Sequence, residues 1–257
     1  MIFTVLQVLK ITMYNLGFIS DENLFAHVKE TVEKYRFTID LKKFNKNLID
    51  PIKLTFDSKV YGKSYEETIE SEIIRQIDKS NTNHIGYFHQ NIFRYIDSAW
   101  EVPERGFDLI NHQEHIFVEM KNKHNTMNSA SSQKTYMKMQ SMLIENANNR
   151  CLLVEIIAKS SQDIPWKISL DRQQYGHDYI RRVSIDKFYE RVTGDSNAFK
   201  KLCEVLPRVL EDVVASVDEQ IVEDSVFEEL QHLSSNILQS LYLLAFKNYE
   251  GFDTFSL

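Results

Sequence analysis

The sequence predicts an α/β (α+β) fold: a mixed central sheet flanked by helices, with a helix-rich C-terminal part. Three observations carry this. Phe107-Asp108-Leu109-Ile110 and Ile116-Phe117-Val118-Glu119-Met120-Lys121 read as two strands separated by the polar turn Asn111-His112-Gln113-Glu114. An amphipathic stretch from about Ser131 to Asn146 then leads to the most strand-like run of the chain, Cys151 to Ala158, giving strand, crossover helix and buried strand. Beyond Asp186 the pattern is helical almost to the end.

Taken in order, the elements are these. Met1 to Lys10 is apolar, but Lys10 interrupts the run, no basic segment precedes it and no small-residue cleavage site follows. A helix packed on the core is expected there rather than an export signal. Asp21 to Asn47 reads as helix with polar connections, and Leu54-Thr55-Phe56 is strand-like. Tyr65 to Lys79 is a helix with Ser64 as N-cap and Ile69, Ile73, Ile74 and Ile77 at helical spacing. Ser80-Asn81-Thr82-Asn83-His84 breaks it before a second helix, Tyr87 to Ile96. After the two strands and the loop Asn122–Asn128, Ser131 or Ser132 caps the next helix. Gly194 separates two C-terminal helices, and Pro207 starts or kinks another. The acidic stretch Glu211–Glu229 carries Val213, Val214, Val217, Ile221, Val222 and Phe227 and reads as amphipathic helix. One domain over 1–257 is expected, with a core at about 60–160 and a helical region at about 185–250.

Composition narrows the function classes. Hydrophobic residues are 43% and charged residues 26% of the chain, a soluble globular balance. With seven Gly and four Pro, long flexible linkers are not expected. No run approaches the roughly 18–20 apolar residues of a membrane span. Cys151 and Cys203, both in apolar contexts, fit reduced core thiols in the cytoplasm and supply neither a disulfide framework nor zinc spacing. The net charge of −7 argues against coating nucleic acid by bulk attraction. Its distribution is uneven, with five Lys or Arg against one acid from Lys121 to Arg150, so a local surface for a polyanion is open.

Alternation along a strand puts Phe117, Glu119 and Lys121 on one face and Ile116, Val118 and Met120 on the other. If the neighbouring strands pair as a hairpin, Asp108 reaches the same spot. Two carboxylates and an ammonium suit Mg²⁺ and a phosphodiester, because the cation takes oxygen ligands and keeps several waters, while the lysine orients water and offsets developing charge. An acid, any residue, then lysine occurs three times, at Asp40–Lys42, Asp57–Lys59 and Glu119–Lys121. Glu119 is preferred because it ends a clean alternation, follows a strand carrying an acid and precedes a basic loop. Asp57, after its strand-like triplet, competes. On a helical wheel Glu66 and Glu70 fall within the arc of Ile69, Ile73, Ile74 and Ile77, and Glu72 lies outside it. An acid in an apolar stripe needs a partner or a metal. Glu70 is the better candidate and Glu66 the alternative.

Gly106-Phe107-Asp108-Leu109 followed by Val118-Glu119-Met120-Lys121 resembles the PD-(D/E)XK nuclease core of type II restriction endonucleases. The runs Arg75–Asn91 and Gly106-Phe107-Asp108 through Ser131-Ser132-Gln133-Lys134 are similar to the restriction enzymes that cut GGNCC sites, the likeness covering about residues 60–160. The resemblance implies that Asp108 and Glu119 bind Mg²⁺, that Lys121 positions the attacking water and that Glu70 completes the site. Phe107 stands where the motif has a dispensable proline. It further implies double-stranded DNA as substrate, a homodimer on a palindromic target, and a DNA methyltransferase acting on the same site.

For DNA contact, Lys123, His124, Asn128, Ser131, Ser132 and Lys134 adjoin the proposed centre, offering charge, amides and a helix start to phosphate or base edges. Asn83, His84 and Gln90 belong to a second amide-rich cluster, which also suits ordinary turns. A repair or junction-resolving nuclease of the same fold, and a non-catalytic DNA-binding or interaction module, are the competing functions.

Overall fold

The computed structural model describes residues 13–36, 38–170, 172–217 and 225–246. The expected N-terminal helix over Met1–Lys10 and the valine-bearing segment at 218–224 lie outside them. Two compact units are present: one comprises residues up to Glu33 together with Ile85–Val217, the other Lys34–His84 with the described residues beyond 224.

The first unit holds a six-stranded sheet of the described residues: β1 (Trp100–Glu101), β2 (Leu109–Asn111), β3 (Ile116–Lys123), β4 (Arg150–Ile157), β5 (Asp163–Leu170) and β6 (Gln173–Ser184), in the order β1-β2-β3-β4-β6-β5. β2 and β3 form the expected antiparallel hairpin, turned through His115 at φ 57° and tied by Glu114 N–H donating to Asn111 Oδ1. β3 and β4 are parallel, as are β4 and β6, so the sheet is mixed. The crossover between β3 and β4 is the helix Ser129–Glu145, numbered α5 below. Its cap is Asn128, whose side chain accepts the Ser131 N–H, and not Ser131 or Ser132. An asparagine at that position is as good an acceptor as serine.

Both faces of the sheet are buried, on alternate residues of β3. Ile116, Val118 and Met120 join Leu152 and Val154 in a core covered by α1 (Asp21–Glu33), the end of α4 (Tyr65–Ile96), α6 (Ile185–Thr193) and α7 (Ala198–Ser216). Phe117 packs on the opposite face with Cys151, Leu153, Trp166 and Ile180, under Tyr136 and Met139 of α5. Burial pushes the Cys151 thiol up to about 12, an inert core group. Cys203, expected inside, is exposed on α7. Pro207 sits within α7 and does not begin a helix.

The hairpin of β5 and β6 had no counterpart in the sequence reading. Its apolar alternation, Ile164, Trp166, Ile168 and Leu170, is real but carries Pro165. Proline is tolerated there because β5 is the edge strand. β6 is exposed from Gln173 to Tyr179 and shows no apolar pattern over that half.

The second unit is helical: α2 (Leu41–Asn45), α3 (Pro51–Tyr61), the start of α4, α8 (Val226–Leu233) and α9 (Ile237–Phe246), around Phe44, Ile49, Leu54, Ile69, Ile73, Val226, Leu230 and Leu241. Three expectations are corrected here. Leu54-Thr55-Phe56 lies inside α3, begun by Pro51 and capped by Asp50, and is not a strand. Ser80–His84 does not break the helix: α4 is continuous for 32 residues. Its amides find partners outside the helix, since Asn81 Oδ1 accepts Arg36 N–H at 2.9 Å and Gln76, 2% exposed, donates to Phe44 O at 3.2 Å. The buried stripe is also rotated. Ile74 is 60% exposed, Glu66 and Glu70 are exposed, and Glu72 is half-buried beside Arg75 and Gln76. Ser64 does begin α4, in a reciprocal box with Glu67. No helix among the described residues is long and apolar enough to cross a membrane.

Candidate active site

The hairpin register sets the site. Asp108 stands one residue before β2, where its N–H donates to Val118 O at 2.9 Å and its Oδ2 accepts the Met120 N–H at 2.7 Å. That second bond pins the carboxylate against the stretch of β3 carrying Glu119 and Lys121. Lys121 Nζ lies 2.7 Å from Glu119 Oε1 and 4.0 Å from Asp108 Oδ2, and also donates to Met120 O at 3.0 Å. The expected convergence of Asp108, Glu119 and Lys121 is therefore present. The competitors are not part of such a cluster: Asp57 is a helical residue paired with Lys53, and Asp40 is the N-cap of α2.

A fourth member, missed at the sequence level, is Lys138 on α5. Its Nζ contacts Glu119 Oε2 at 2.9 Å, donates to Gly106 O at 2.7 Å and sits 3.9 Å from the centre of the Phe107 ring. Gly106, at φ 100°, adopts a conformation that side chains rarely reach, and its carbonyl meets the ammonium. The available signal was helical: Lys138 lies one turn before Met142, which packs against the core.

Electrostatics separate the two acids. Burial raises Asp108 above the ordinary carboxylate range and the neighbouring Glu119 charge adds to this; the Met120 N–H, Lys121 and Lys138 offset it only in part. Burial also acts to raise Glu119, but hydrogen bonds and charge from Lys121 and Lys138 outweigh it and hold Glu119 below the ordinary value. Asp108 and Glu119 keep 27% and 15% side-chain exposure, enough for a solvent ion to reach them. Among the described residues no group of three or more His, Cys, Asp or Glu could hold a metal. The donor set here is two carboxylates, with the Met120 carbonyl beside them. That fits a cation which keeps most of its waters and poorly fits a zinc cage.

Beyond the centre, Lys121 pairs in register with Glu155 of β4. Glu155 is 1% exposed and receives His124 Nδ1 at 3.0 Å on one oxygen and Arg182 Nη2 of β6 on the other. Its burial favours the neutral acid, but the hydrogen bonds from Arg182 and His124, with the Arg182 charge, outweigh this and hold it below the ordinary range. Arg182 also reaches Asn125 Oδ1 at 3.4 Å and lines a cleft of about 240 Å³ with Ser132, Gln133, Lys167 and Ser169.

The remaining expected contacts are spread. His124 is tied to Glu155, and Ser132 lines the cleft; Lys123, Ser131 and Lys134 are exposed nearby, and Asn128 serves as the cap. Gln90 lies on α4 within this unit, whereas Asn83 and His84 belong to the helical unit, as do Glu66 and Glu70.

An antiparallel hairpin feeding a parallel strand through a crossover helix, with two acids and a lysine at the hairpin, defines a restriction-endonuclease-like α+β core. A family model described as Eco47II restriction endonuclease matches residues 16–215. The type II restriction enzyme Sau96I of Staphylococcus aureus is 32% identical over 209 residues, covering 77% of this chain and 80% of the relative. The type II restriction enzyme Eco47II of Escherichia coli is 29% identical over 213 residues, covering 78% and 88%. The chain belongs to the Eco47II restriction endonuclease family, and its class is that of the type II site-specific deoxyribonucleases.

Proposed function

We propose that this chain makes Mg²⁺-dependent double-strand cuts at a short specific DNA sequence of the GGNCC type, hydrolysing the phosphodiester to 5′-phosphate and 3′-hydroxyl ends. The observation that carries this is the meeting of Asp108, Glu119 and Lys121 around one partly open point, with Lys121 Nζ 2.7 Å from Glu119 and 4.0 Å from Asp108. Asp108 and Glu119 would hold the cation. When bound, it polarises the phosphoryl oxygen and acidifies a water. Lys121 donates to the attacking water and offsets the negative charge that builds on the phosphoryl oxygens. Lys138 keeps Glu119 ionised and aimed, a positioning role. Glu70 is exposed on α4 and not in a buried stripe, and it keeps a part in this reading only through the family resemblance. Glu70→Gln should lower the cleavage rate more than Glu66→Gln; equal rates for the two would remove Glu70 from it.

Lys123, His124, Asn128, Ser131, Ser132 and Lys134 line the approach for the DNA strand in this scheme, joined by Arg182 and Lys167 at the neighbouring cleft. Asn83, His84 and Gln90 are further contacts. A homodimer places one centre on each strand of a palindromic site. A cognate methyltransferase would modify the same sequence without needing to bind this chain. Digestion of DNA of known sequence with Mg²⁺, followed by end mapping, tests the whole reading. Discrete fragments ending within one repeated sequence are expected. A smear, or cleavage confined to branched DNA, would replace it with a repair nuclease.

A further inference from the structure

The helical unit carries a cationic cleft of its own. Arg36, Lys43, Lys46 and Lys79 surround a cavity of about 440 Å³, together with Asn47, Gln76, Ser80 and Asn83. No carboxylate lines it, although the chain as a whole carries a charge of −7. Asp40 pairs with Lys43 at 3.4 Å, but the cleft still gathers like charges whose mutual repulsion a bound anion would relieve. The cleft is also built rather than incidental. The buried Gln76 bonds Phe44 O at 3.2 Å and accepts from Asn47 Nδ2 at 2.8 Å, fixing the end of α2 against α4. Asn81 holds the backbone of Arg36 at 2.9 Å.

Gln76, Lys79, Ser80 and Asn83 recur at i, i+3, i+4 and i+7, so they share one helix face about 10 Å long. At about 3.4 Å of axial rise per phosphate of one strand, that length spans roughly three nucleotide steps of a duplex lying parallel to this face. Ammonium and guanidinium charges interleaved with amides and a hydroxyl are the side chains that bind phosphate oxygens while reading no sequence. All eight residues fall within the span matched by the family model.

We propose that this cleft binds the sugar–phosphate backbone of duplex DNA, making the helical unit a sequence-independent contributor to substrate affinity. The proposal rests on the nuclease reading above for its choice of polyanion. The test uses the full chain with Lys43→Gln, Lys46→Gln and Lys79→Gln combined, and a matched triple Lys→Arg variant. Binding to a target duplex and to a scrambled duplex is followed by fluorescence anisotropy without divalent metal, over a series of salt concentrations. Each lost phosphate contact flattens the slope of log K against log salt by about 0.9, so the Gln triple should lose about 2.7. Affinity for both duplexes should fall together, by about tenfold or more at low salt. The Arg triple should restore the slope, and Mg²⁺ digestion should still give the wild-type fragment pattern. An unchanged slope in a folded Gln triple overturns the proposal even if the wild type cuts DNA at discrete sites. Loss of binding to the target alone would assign these lysines to base reading and overturn it as well. A wild type that binds no DNA takes down both readings.

Discussion

At the scale of single residues, the proposed site treats two neighbouring acids unequally. Glu119 has an ammonium on each oxygen and stays ionised, while Asp108 is pushed the other way by burial and by Glu119 itself. Asp108→Asn and Lys121→Ala should each abolish cleavage while leaving DNA binding measurable. Lys138→Met should be milder. Residues that orient the groups around a metal are typically worth about 10–100-fold in activity. Because Glu119 then loses one of the charges holding its pKa down, the acid limb of the single-turnover pH profile should move to higher pH. A lower rate with an unmoved limb would reduce Lys138 to packing over Phe107. Glu155 offers a test on stability. Its folded pKa is below the ordinary 4.5, so the stability it contributes is fully present above about that value and disappears as the pH falls through the folded pKa. Glu155→Gln leaves Arg182 and His124 without their shared carboxylate. Breaking a buried pair in this way costs about 3 kcal/mol, the low end of the usual range because Arg182 retains 19% side-chain exposure. Denaturation curves near neutrality should show that deficit, and the gap to wild type should close below about pH 4.5.

Elements show why part of the molecule was legible in the sequence and part was not. β3 announced itself because both of its faces are buried under separate cores, so its apolar residues and its site residues alternate without interruption. The acid–x–lysine competitors failed on their elements rather than on their chemistry: helix α3 takes Asp57 and a cap takes Asp40. Polar tracts misled. Ser80–His84 has loop composition, yet α4 runs through it because Asn81 bonds the chain at Arg36, a partner far away in sequence. The acid in the stripe misled for a related reason, since the buried face of α4 includes Gln76 and the stem of Glu72, and Ile74 faces water. Continuity of α4 has a measurable consequence at Gly86, an interior helical position. A methyl group there would lie 3.5 Å from Asn122 Oδ1, an ordinary contact, and φ is not in the left-handed region. Gly86→Ala should therefore stabilise the protein by about 0.5–1 kcal/mol through helix propensity. A lower Tm would mean that the helix is broken there in solution, as the composition of the tract suggested.

Over the whole molecule, the chain presents one Asp108–Glu119–Lys121 cluster among the described residues, and in the proposed reading one such cluster would act on one phosphodiester at a time. A palindromic duplex offers two equivalent phosphodiesters related by a two-fold axis, so a double-strand cut in one binding event asks for two copies of this chain related by the same axis. Sedimentation of the protein with target DNA should give a protein mass of twice 30.3 kDa. The decisive sample is a mixed dimer of wild type and Asp108→Asn, isolated with two affinity tags. If each protomer serves one strand, the mixed dimer should bind as the wild type does, release nicked circles from supercoiled plasmid, and linearise them slowly if at all. Linear product formed at the wild-type rate, together with a mass of one chain on DNA, would mean that a single protomer cuts both strands in turn. The two-fold arrangement would then be lost, while the assignment of Asp108, Glu119 and Lys121 would stand.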